Sequence, residues 1–340
     1  MRTKCKRTRA ALVLALLLLL DEDDDLPVLT DDIESLVYDP SFGCGRGRNR
    51  RRKTCYQDPV PVYSRLIQAQ RLLLFETLVR MKLEDFDCLF KEIYRRENFK
   101  RAAALSPRTL PVDQLLLTLI WVFHYPTYSN LSLQFGLSSP KVAFIIEKIL
   151  LELAEYFRDY VPNSLGEEPM TSSLSNQIVA VVDGTIHKVS KPGAFQSRMW
   201  NGHYKRHGMM THLLVTMDGE IAAFVTNIPG VAHDALVATY NDCFRRVLGK
   251  QFAVADTGYS GISNVVAGLK GPLDTYGKRA FDRISRKEQA IVENVNCWLK
   301  KAVTLDKSTN FRHGNEKLYL CVFICCGLHN WKIAQAHITL

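Results

Sequence analysis

The spacing of apolar residues divides the chain into a helical first half and a second half that contains strands. Helical periodicity runs through Ser64–Lys82 and again through Glu84–Lys100. Three further helices are predicted over Val112–His124, Tyr128–Phe135 and Lys141–Tyr156. The pattern therefore predicts an all-α region before any strand begins.

The turn between the last two of these helices has the residues of a helix-turn-helix unit. Gly136 allows a tight bend, Ser138 or Ser139 is suited to cap the next helix, and Pro140 fits its first turn. Such a unit would place the following helix in a DNA major groove, with Lys141 and Lys148 as its cations. The alternative is that the apolar residues of this helix form only the core of a helical bundle.

Strand-like patterns begin after a Pro- and Ser-containing linker over residues 161–175. Ile178–Val182 is fully apolar, which predicts a buried central strand that carries Asp183 at its carboxyl end. His212–Thr216 and Ile221–Thr226 flank an Asp-Gly pair, which predicts an antiparallel hairpin.

A helix and another buried strand follow the hairpin. The amphipathic stretch Asp234–Leu248 predicts a helix that ends at Gly249. Phe252–Ala255 is short and apolar, and it leads directly to Asp256. The sequence thus predicts a second acidic side chain at the end of a buried strand.

A third acidic residue lies on a predicted helix. Ser285–Glu288 has the spacing of a capping box, so a helix is expected to begin there and to continue to Lys301. Glu293 then lies two turns into this helix, on its less apolar side.

Three carboxylates brought together by a fold suggest metal-dependent chemistry on phosphodiesters. Divalent ions held by carboxylates activate a water molecule and stabilise the leaving oxygen, and Mg²⁺ prefers such hard oxygen ligands. No general-base histidine is then required. Asp183, Asp256 and Glu293 are therefore the candidate catalytic and metal-binding residues.

Composition favours a folded protein with a polyanionic partner. The 340 residues are 47% hydrophobic and 23% charged, and the formal net charge is +9. An excess of Lys and Arg gains affinity for nucleic acid through counterion release. The nine cysteines form no metal-binding spacing, and Cys321, Cys325 and Cys326 are expected to be small core residues of a terminal helix.

The first 60 residues form a basic segment with two notable runs. Ala10–Leu20 is apolar and follows a basic stretch, which is typical of a signal peptide. Because Asp21–Asp25 follows where a cleavage site would be expected, we favour a short cytosolic helix. Arg46–Lys53 suits nuclear import or phosphate contact, and a solvated linker is the alternative. The predicted divisions are 1–60, 61–160 and 176–340.

From about Leu115 to the C-terminus the sequence resembles the PIF/Harbinger branch of DDE transposases and the nucleases derived from them. The resemblance rests on patches in a fixed order, namely Val182–Thr185, Trp200–Gly208, Pro229–Asp234, Ala255–Tyr259, Ile291–Lys300 and Leu328–Asn330. One departure is Ala290, which stands three residues before Glu293 where the family often has Arg.

The resemblance implies an α/β fold with a ribonuclease-H-like catalytic domain, in which helices flank a mixed sheet, behind the helix-turn-helix region. It also implies that Asp183, Asp256 and Glu293 bind divalent metal, two ions of Mg²⁺ or Mn²⁺, with Asp234 as an accessory metal-binding acid. The candidate DNA contacts in this part of the chain are Lys205, Arg206, His207 and Lys300. A solvated hairpin edge is the alternative interpretation of the first three.

Members of this family act in the nucleus, cut double-stranded DNA at terminal inverted repeats and insert at A/T-rich targets. The resemblance therefore implies a homo-oligomer, a Myb-like partner and no membrane. Two other classes of function stay open. One is a domesticated DNA-binding protein that no longer cuts, and the other is a secreted hydrolase with Ala10–Leu20 as its signal.

Overall fold

The computed structural model describes most of the chain after residue 58. The described ranges are 59–166, 168–193, 196–232, 242–306 and 309–338. The predictions for residues 1–58, including the apolar run Ala10–Leu20, and for Asp234 therefore lie outside the described residues. No helix in these ranges combines the length and the apolar character needed to cross a bilayer.

The first part of the described chain is helical, as predicted. Its helices are α1 (Val62–Gln68), α2 (Leu72–Val79), α3 (Leu83–Tyr94), α4 (Glu97–Ala104), α5 (Pro111–His124), α6 (Tyr128–Phe135) and α7 (Ser139–Phe157). The single helix predicted over Ser64–Lys82 is wrong, because the chain turns through Gln70, whose φ is +53°. The segment Glu84–Lys100 is likewise divided between α3 and α4.

The helix-turn-helix outline is confirmed at α6 and α7. Thr127 caps α6 by accepting a hydrogen bond from the Asn130 amide, and Gly136 ends it in the left-handed conformation with φ +62°. Ser138 precedes α7 without making a side-chain cap bond, and Pro140 lies in the first turn. The turn chemistry inferred from the sequence therefore holds at the glycine and the proline but not at Ser138.

The second part is a mixed sheet, so the prediction of an α/β region behind an all-α segment is confirmed. Its strands are β1 (Ile178–Lys188), β2 (Trp200–Asn201), β3 (Arg206–Thr216), β4 (Ile221–Pro229), β5 (Phe252–Ala255) and β6 (Val265–Ala267). The strand order is β3-β1-β5-β6, with β2 and β4 each paired to β3. β3 is antiparallel to β1, whereas β5 is parallel to it.

Strand β1 is longer than predicted, which corrects the placement of Asp183. The strand continues through Asp183 to Lys188 because β3 pairs with it along this whole length, up to the pair Lys188 and Gly208. Asp183 is therefore in the middle of β1. It lies at a strand end only relative to β5, which stops at Ala255.

The remaining elements include three helices beside the sheet. They are α8 (Gln196–Met199), α9 (Asp242–Leu248) and α10 (Tyr276–Leu299). The last described helix is α11 (Asn315–Ile338). The helix predicted over Asp234–Leu248 is described from Asp242, and it ends as expected at Gly249, whose φ is +58°.

The start predicted for the helix that carries Glu293 is wrong. α10 begins nine residues earlier than Ser285, where Thr275 accepts a hydrogen bond from the Lys278 amide. Ser285 and Glu288 are buried inside the helix. The Glu288 carboxylate accepts bonds from the Ser172 hydroxyl at 2.6 Å and the Ser173 amide at 3.0 Å. The predicted capping-box acid, Glu288, thus attaches α10 to the linker before β1.

Two layers of core cover the two faces of the sheet. One face packs on α10, α11 and the helical segment in a single continuous core. The other face packs on α9 and on Tyr259. Cys321, Cys325 and Cys326 are fully buried in α11, which confirms their prediction as core residues.

Candidate active site

Two carboxylates lie side by side at the centre of the sheet. Val182 of β1 pairs with Ala255 of β5 in parallel register, and each is followed directly by an aspartate, Asp183 and Asp256. Neighbouring strands in a sheet are about 4.8 Å apart. The structure therefore brings these two predicted site residues together, although 73 positions of sequence separate them.

Both aspartates point to the face of the sheet that α10 covers. Val182 and Ala255 belong to the core on the α9 face. Because side chains alternate along a strand, the residue after each of them turns to the other face. Asp183 is half-buried there, and Asp256 is exposed.

Helix α10 supplies the third candidate and a polar contact. The Asn296 side chain donates a hydrogen bond from Nδ2 to Oδ2 of Asp183 at 2.8 Å. Glu293 is exposed and lies one turn before Asn296, about 4.5 Å along the helix axis. Glu293 thus borders the same region of the sheet without sharing the hydrogen bond.

The donor set fits a hard divalent cation. Asp183, Asp256 and Glu293 offer carboxylate oxygens, which Mg²⁺ and Mn²⁺ prefer. Within the ranges that the structure describes, no three His, Cys, Asp or Glu side chains already form a metal-binding group. The two strand aspartates are therefore the residues that would hold an ion, and Glu293 lies on the helix that covers their face of the sheet.

A buried pair of side chains fixes the segment that carries Asp256. Asp256 caps a short 3-10 turn, Thr257–Tyr259, by accepting the Gly258 amide at 2.8 Å. The Tyr259 hydroxyl contacts Nδ1 of His212 on β3 at 2.7 Å. His212 pairs with Gly184, and directly opposed residues project to one face, so the missing side chain of Gly184 leaves room for this bridge across β1.

Sequence reasoning missed the pair of His212 and Tyr259. Both residues are fully buried, and burial lowers the pKa of His212 to about 4, so its imidazole is neutral. The signal available in the sequence was a polar residue within a predicted strand, His212, and an aromatic residue, Tyr259, three positions after Asp256. Their contact depends on strand register, which a pattern of apolar residues does not supply.

A second buried histidine ties β1 to the segment after α10. Nδ1 of His187 lies 3.0 Å from the Leu305 carbonyl oxygen, and Nε2 lies 2.9 Å from the Thr211 hydroxyl. Burial, with a smaller effect from the positive charge of Lys300, lowers the pKa of His187 to about 4. The neutral ring therefore donates to the carbonyl and accepts from the hydroxyl. This contact fixes the end of α10 against the sheet.

Comparison with known proteins agrees with this geometry. Residues 182–330 match the family described as DDE superfamily endonuclease. The chain is also 22% identical over 268 residues to a protein of Microchaete diplosiphon named probable transposase for insertion sequence element IS702. The aligned region covers 76% of this chain and 94% of that protein. No solved structure gives a significant match. The resemblance to DDE nucleases is thus confirmed at the level of the superfamily.

The DDE-matching region contains four of the predicted DNA contacts. Lys205 has φ +48° in the turn before β3, and Arg206 donates from Nε to the Tyr204 carbonyl at 2.9 Å. His207 packs against the ring of Trp200. The paired positions place this turn beyond Lys188, about 16 Å along β1 from Asp183. Lys300 is half-buried at the end of α10.

The other two predicted DNA contacts lie on α7, outside the DDE-matching region. The ammonium groups of Lys141 and Lys148 lie 5.0 and 5.9 Å from the ring of Phe144. Lys141 also donates to the Leu105 carbonyl at 3.0 Å. The structure therefore groups these lysines around an aromatic side chain and does not bring them to the carboxylates.

Proposed function

We propose that this protein is a metal-dependent DNA endonuclease of the transposase type, with a ribonuclease-H-like catalytic domain of the PIF/Harbinger branch. The observation that carries the proposal is the parallel register of Val182 and Ala255, which makes Asp183 and Asp256 neighbours on one face of the sheet. The family match over residues 182–330 supports the same class of activity. The named transposase relative supports DNA as the substrate.

The chemistry divides between the ion and the side chains of this chain. Two divalent ions, when bound, supply an activated nucleophile and stabilise the charge that develops on the leaving oxygen. Asp183 and Asp256 hold the ions on the sheet, and Glu293 completes the set from α10. Asp234 is proposed as an accessory ligand. The hydrogen bond from Asn296 and the Tyr259 bridge keep the two aspartates oriented while DNA binds.

Basic residues around the sheet are proposed to bind the DNA backbone. Lys205, Arg206 and His207 follow β2 at the far end of β1, and Lys300 lies beside His187 on the α10 side. Cations at such distances neutralise phosphates on either side of the scissile bond. We further propose action in the nucleus on terminal inverted repeats and A/T-rich targets, as a homo-oligomer with a Myb-like partner, in keeping with the family resemblance.

Cleavage of DNA by purified protein tests the proposal. The substrate is a duplex that carries any inverted repeats found in the sequence on either side of the gene, and cleavage is measured with Mg²⁺, with Mn²⁺ and with EDTA. Asp183→Ala and Asp256→Ala are each expected to lower the cleavage rate by at least about 100-fold, because each removes a ligand. Asp274→Asn, a surface acid that pairs with Lys278, is the matched control and is expected to cleave like wild type.

Two results would contradict the proposal. Equal cleavage by wild type and Asp183→Ala would exclude the carboxylate site, and cleavage that persists in EDTA would exclude the metal. Binding of the duplex without cleavage by wild type would favour the alternative function, a DNA-binding protein that no longer cuts.

A further inference from the structure

Asn296 is a polar residue on the buried face of α10. Its neighbours on that face are Val292, Val295 and Leu299, and only 5% of Asn296 is exposed. A buried amide costs free energy unless its polar atoms are hydrogen-bonded, so an apolar residue would be less costly for packing alone. The amide therefore requires a partner that explains its position.

That partner is Asp183. Nδ2 of Asn296 donates to Oδ2 of Asp183 at 2.8 Å, a bond that is strengthened by the carboxylate charge. The bond joins the middle of β1 to α10, so it fixes the rotation of the carboxylate relative to both elements. Burial on the α10 side keeps water from competing for this bond.

The second polar atom of the same amide has no partner in the ranges that the structure describes. Oδ1 of Asn296 is buried and accepts no hydrogen bond. A buried acceptor next to a carboxylate is unfavourable for anions and favourable for a cation or for a water molecule that donates to it. The amide thus adds a second oxygen to the side of the site where Asp183 lies.

We propose that Asn296 is a positioning residue for the metal site, which orients the Asp183 carboxylate for a divalent cation. This inference rests on the proposed function, because it assumes that Asp183 binds the ion. Groups that orient a ligand from behind typically contribute 10-fold to 100-fold to metal affinity. A purely structural amide would instead affect the stability of the fold and leave metal affinity unchanged.

Binding of Mn²⁺ by the full chain separates these roles. Free Mn²⁺ is followed by electron paramagnetic resonance during titration with MnCl₂, and unfolding temperature is measured for each variant. Asn296→Leu, which keeps the size of the side chain, is expected to raise the dissociation constant for Mn²⁺ by about 10-fold to 100-fold. Asn294→Leu is the matched control, since Asn294 is exposed on the same helix, and it is expected to bind within two-fold of wild type.

The same titration distinguishes the two proposals. Failure of wild type to bind Mn²⁺, or equal binding by Asp183→Asn, would overturn the proposed function and this inference with it. Loss of binding in Asp183→Asn with unchanged binding in Asn296→Leu would overturn only the role of Asn296. If Asn296→Leu does not fold, Asn296→Ala removes the same amide without adding methyl groups. The expected result is then the same rise of about 10-fold to 100-fold in the dissociation constant for Mn²⁺.

Discussion

Helix α7 and the site where β1 lies beside the end of β5, the β1–β5 site, were both predicted to contact DNA. Their polar residues are placed differently. α7 buries Ile145, Ile149 and Leu153 among others, and its two lysines lie over the Phe144 ring. The β1–β5 site instead carries Asp183, which a hydrogen bond from Asn296 of α10 holds in place, and Asp256, which accepts the amide of its own neighbour Gly258.

This difference in the placement of polar residues distinguishes a helix that packs in the core from a site that carries reactive groups. A recognition helix needs a polar face that is open to the groove, whereas the exposed stripe of α7 includes Phe144 and Leu151. The β1–β5 site, by contrast, has buried polar side chains that orient other residues. They belong to Asn296, His212 and Tyr259. The position of polar groups therefore distinguishes the two regions better than their number.

Overpacking at the contact between α7 and α11 tests whether α7 is a core element. A Cβ on Gly327 would lie 2.8 Å from Cγ of Phe157 and closer still to its Cβ, so Gly327→Ala forces the two helices apart. We expect a loss of about 3 kcal/mol in the free energy of unfolding. Urea denaturation followed by circular dichroism measures it.

The control for this change is another helical glycine. A Cβ on Gly277, near the start of α10, meets nothing within 4 Å, so Gly277→Ala is expected to be neutral or to stabilise by up to about 1 kcal/mol. Equal stability of the two variants would show that α7 is not closely packed against α11 at Phe157.

The pH dependence of stability tests the buried polar contacts behind the β1–β5 site. The folded-state pKa of His187 is about 4, below the usual value of 6.5. Below pH 6.5 the unfolded chain binds a proton that the folded protein excludes, so stability is present above pH 6.5 and declines as the pH falls toward 4. At about 1.4 kcal/mol per pKa unit, this loss is up to roughly 3 kcal/mol.

Comparison with His187→Gln isolates this contribution. Wild type is expected to exceed the variant in free energy of unfolding at pH 7, and the difference is expected to shrink between pH 6.5 and pH 4. Urea denaturation at several pH values measures it. A difference that stays constant with pH would mean that the pKa of His187 is the same in the folded and the unfolded protein, so that burial does not lower it.

The smallest expected effect is a change in the affinity for duplex DNA, which also compares the two regions. Replacement of Lys205 and Arg206 together by Ala is expected to weaken binding to duplex DNA several-fold at about 100 mM salt and to reduce the salt slope by up to about 2. Replacement of Lys141 and Lys148 together by Ala is expected to change affinity by less than two-fold, because their ammonium groups already contact Phe144.

Fluorescence anisotropy at several salt concentrations measures both double variants. The two pairs remove the same formal charge, so each serves as the control for the other. A larger loss for the α7 pair would reverse the assignment of the two regions.

Periodicity predicted the elements in which burial alone decides which positions are apolar and which are polar. α5, α6 and β5 were predicted almost to the residue because apolar spacing and turn residues agree at both ends. The break at Gln70 was missed because apolar residues continue at helical spacing on both sides of it. The start of α10 was misplaced because Glu288, which has the spacing of a capping-box acid after Ser285, is used for a tertiary contact with Ser172.

The candidate site likewise contains residues that the sequence patterns predicted and residues that they missed. Strand patterns and the family patches were sufficient to pair Asp183 with Asp256, since buried strands that precede an acid are visible in one sequence. Asn296 and His212 were missed as parts of the site, because their roles depend on which residue lies across a helix-strand or strand-strand contact. Register and docking of this kind are decided between segments that are far apart in the chain.

The contact between α11 and the α7 end of the helical segment has a consequence for synthesis of the protein. Nδ2 of Asn330 donates to the Tyr160 carbonyl, 170 positions earlier in the chain. At about 5–20 residues per second, a ribosome needs roughly 10 to 30 s to add that length. During this interval the apolar surface that α11 will cover is exposed on the nascent chain, so we expect newly made copies to be prone to aggregation until α11 emerges.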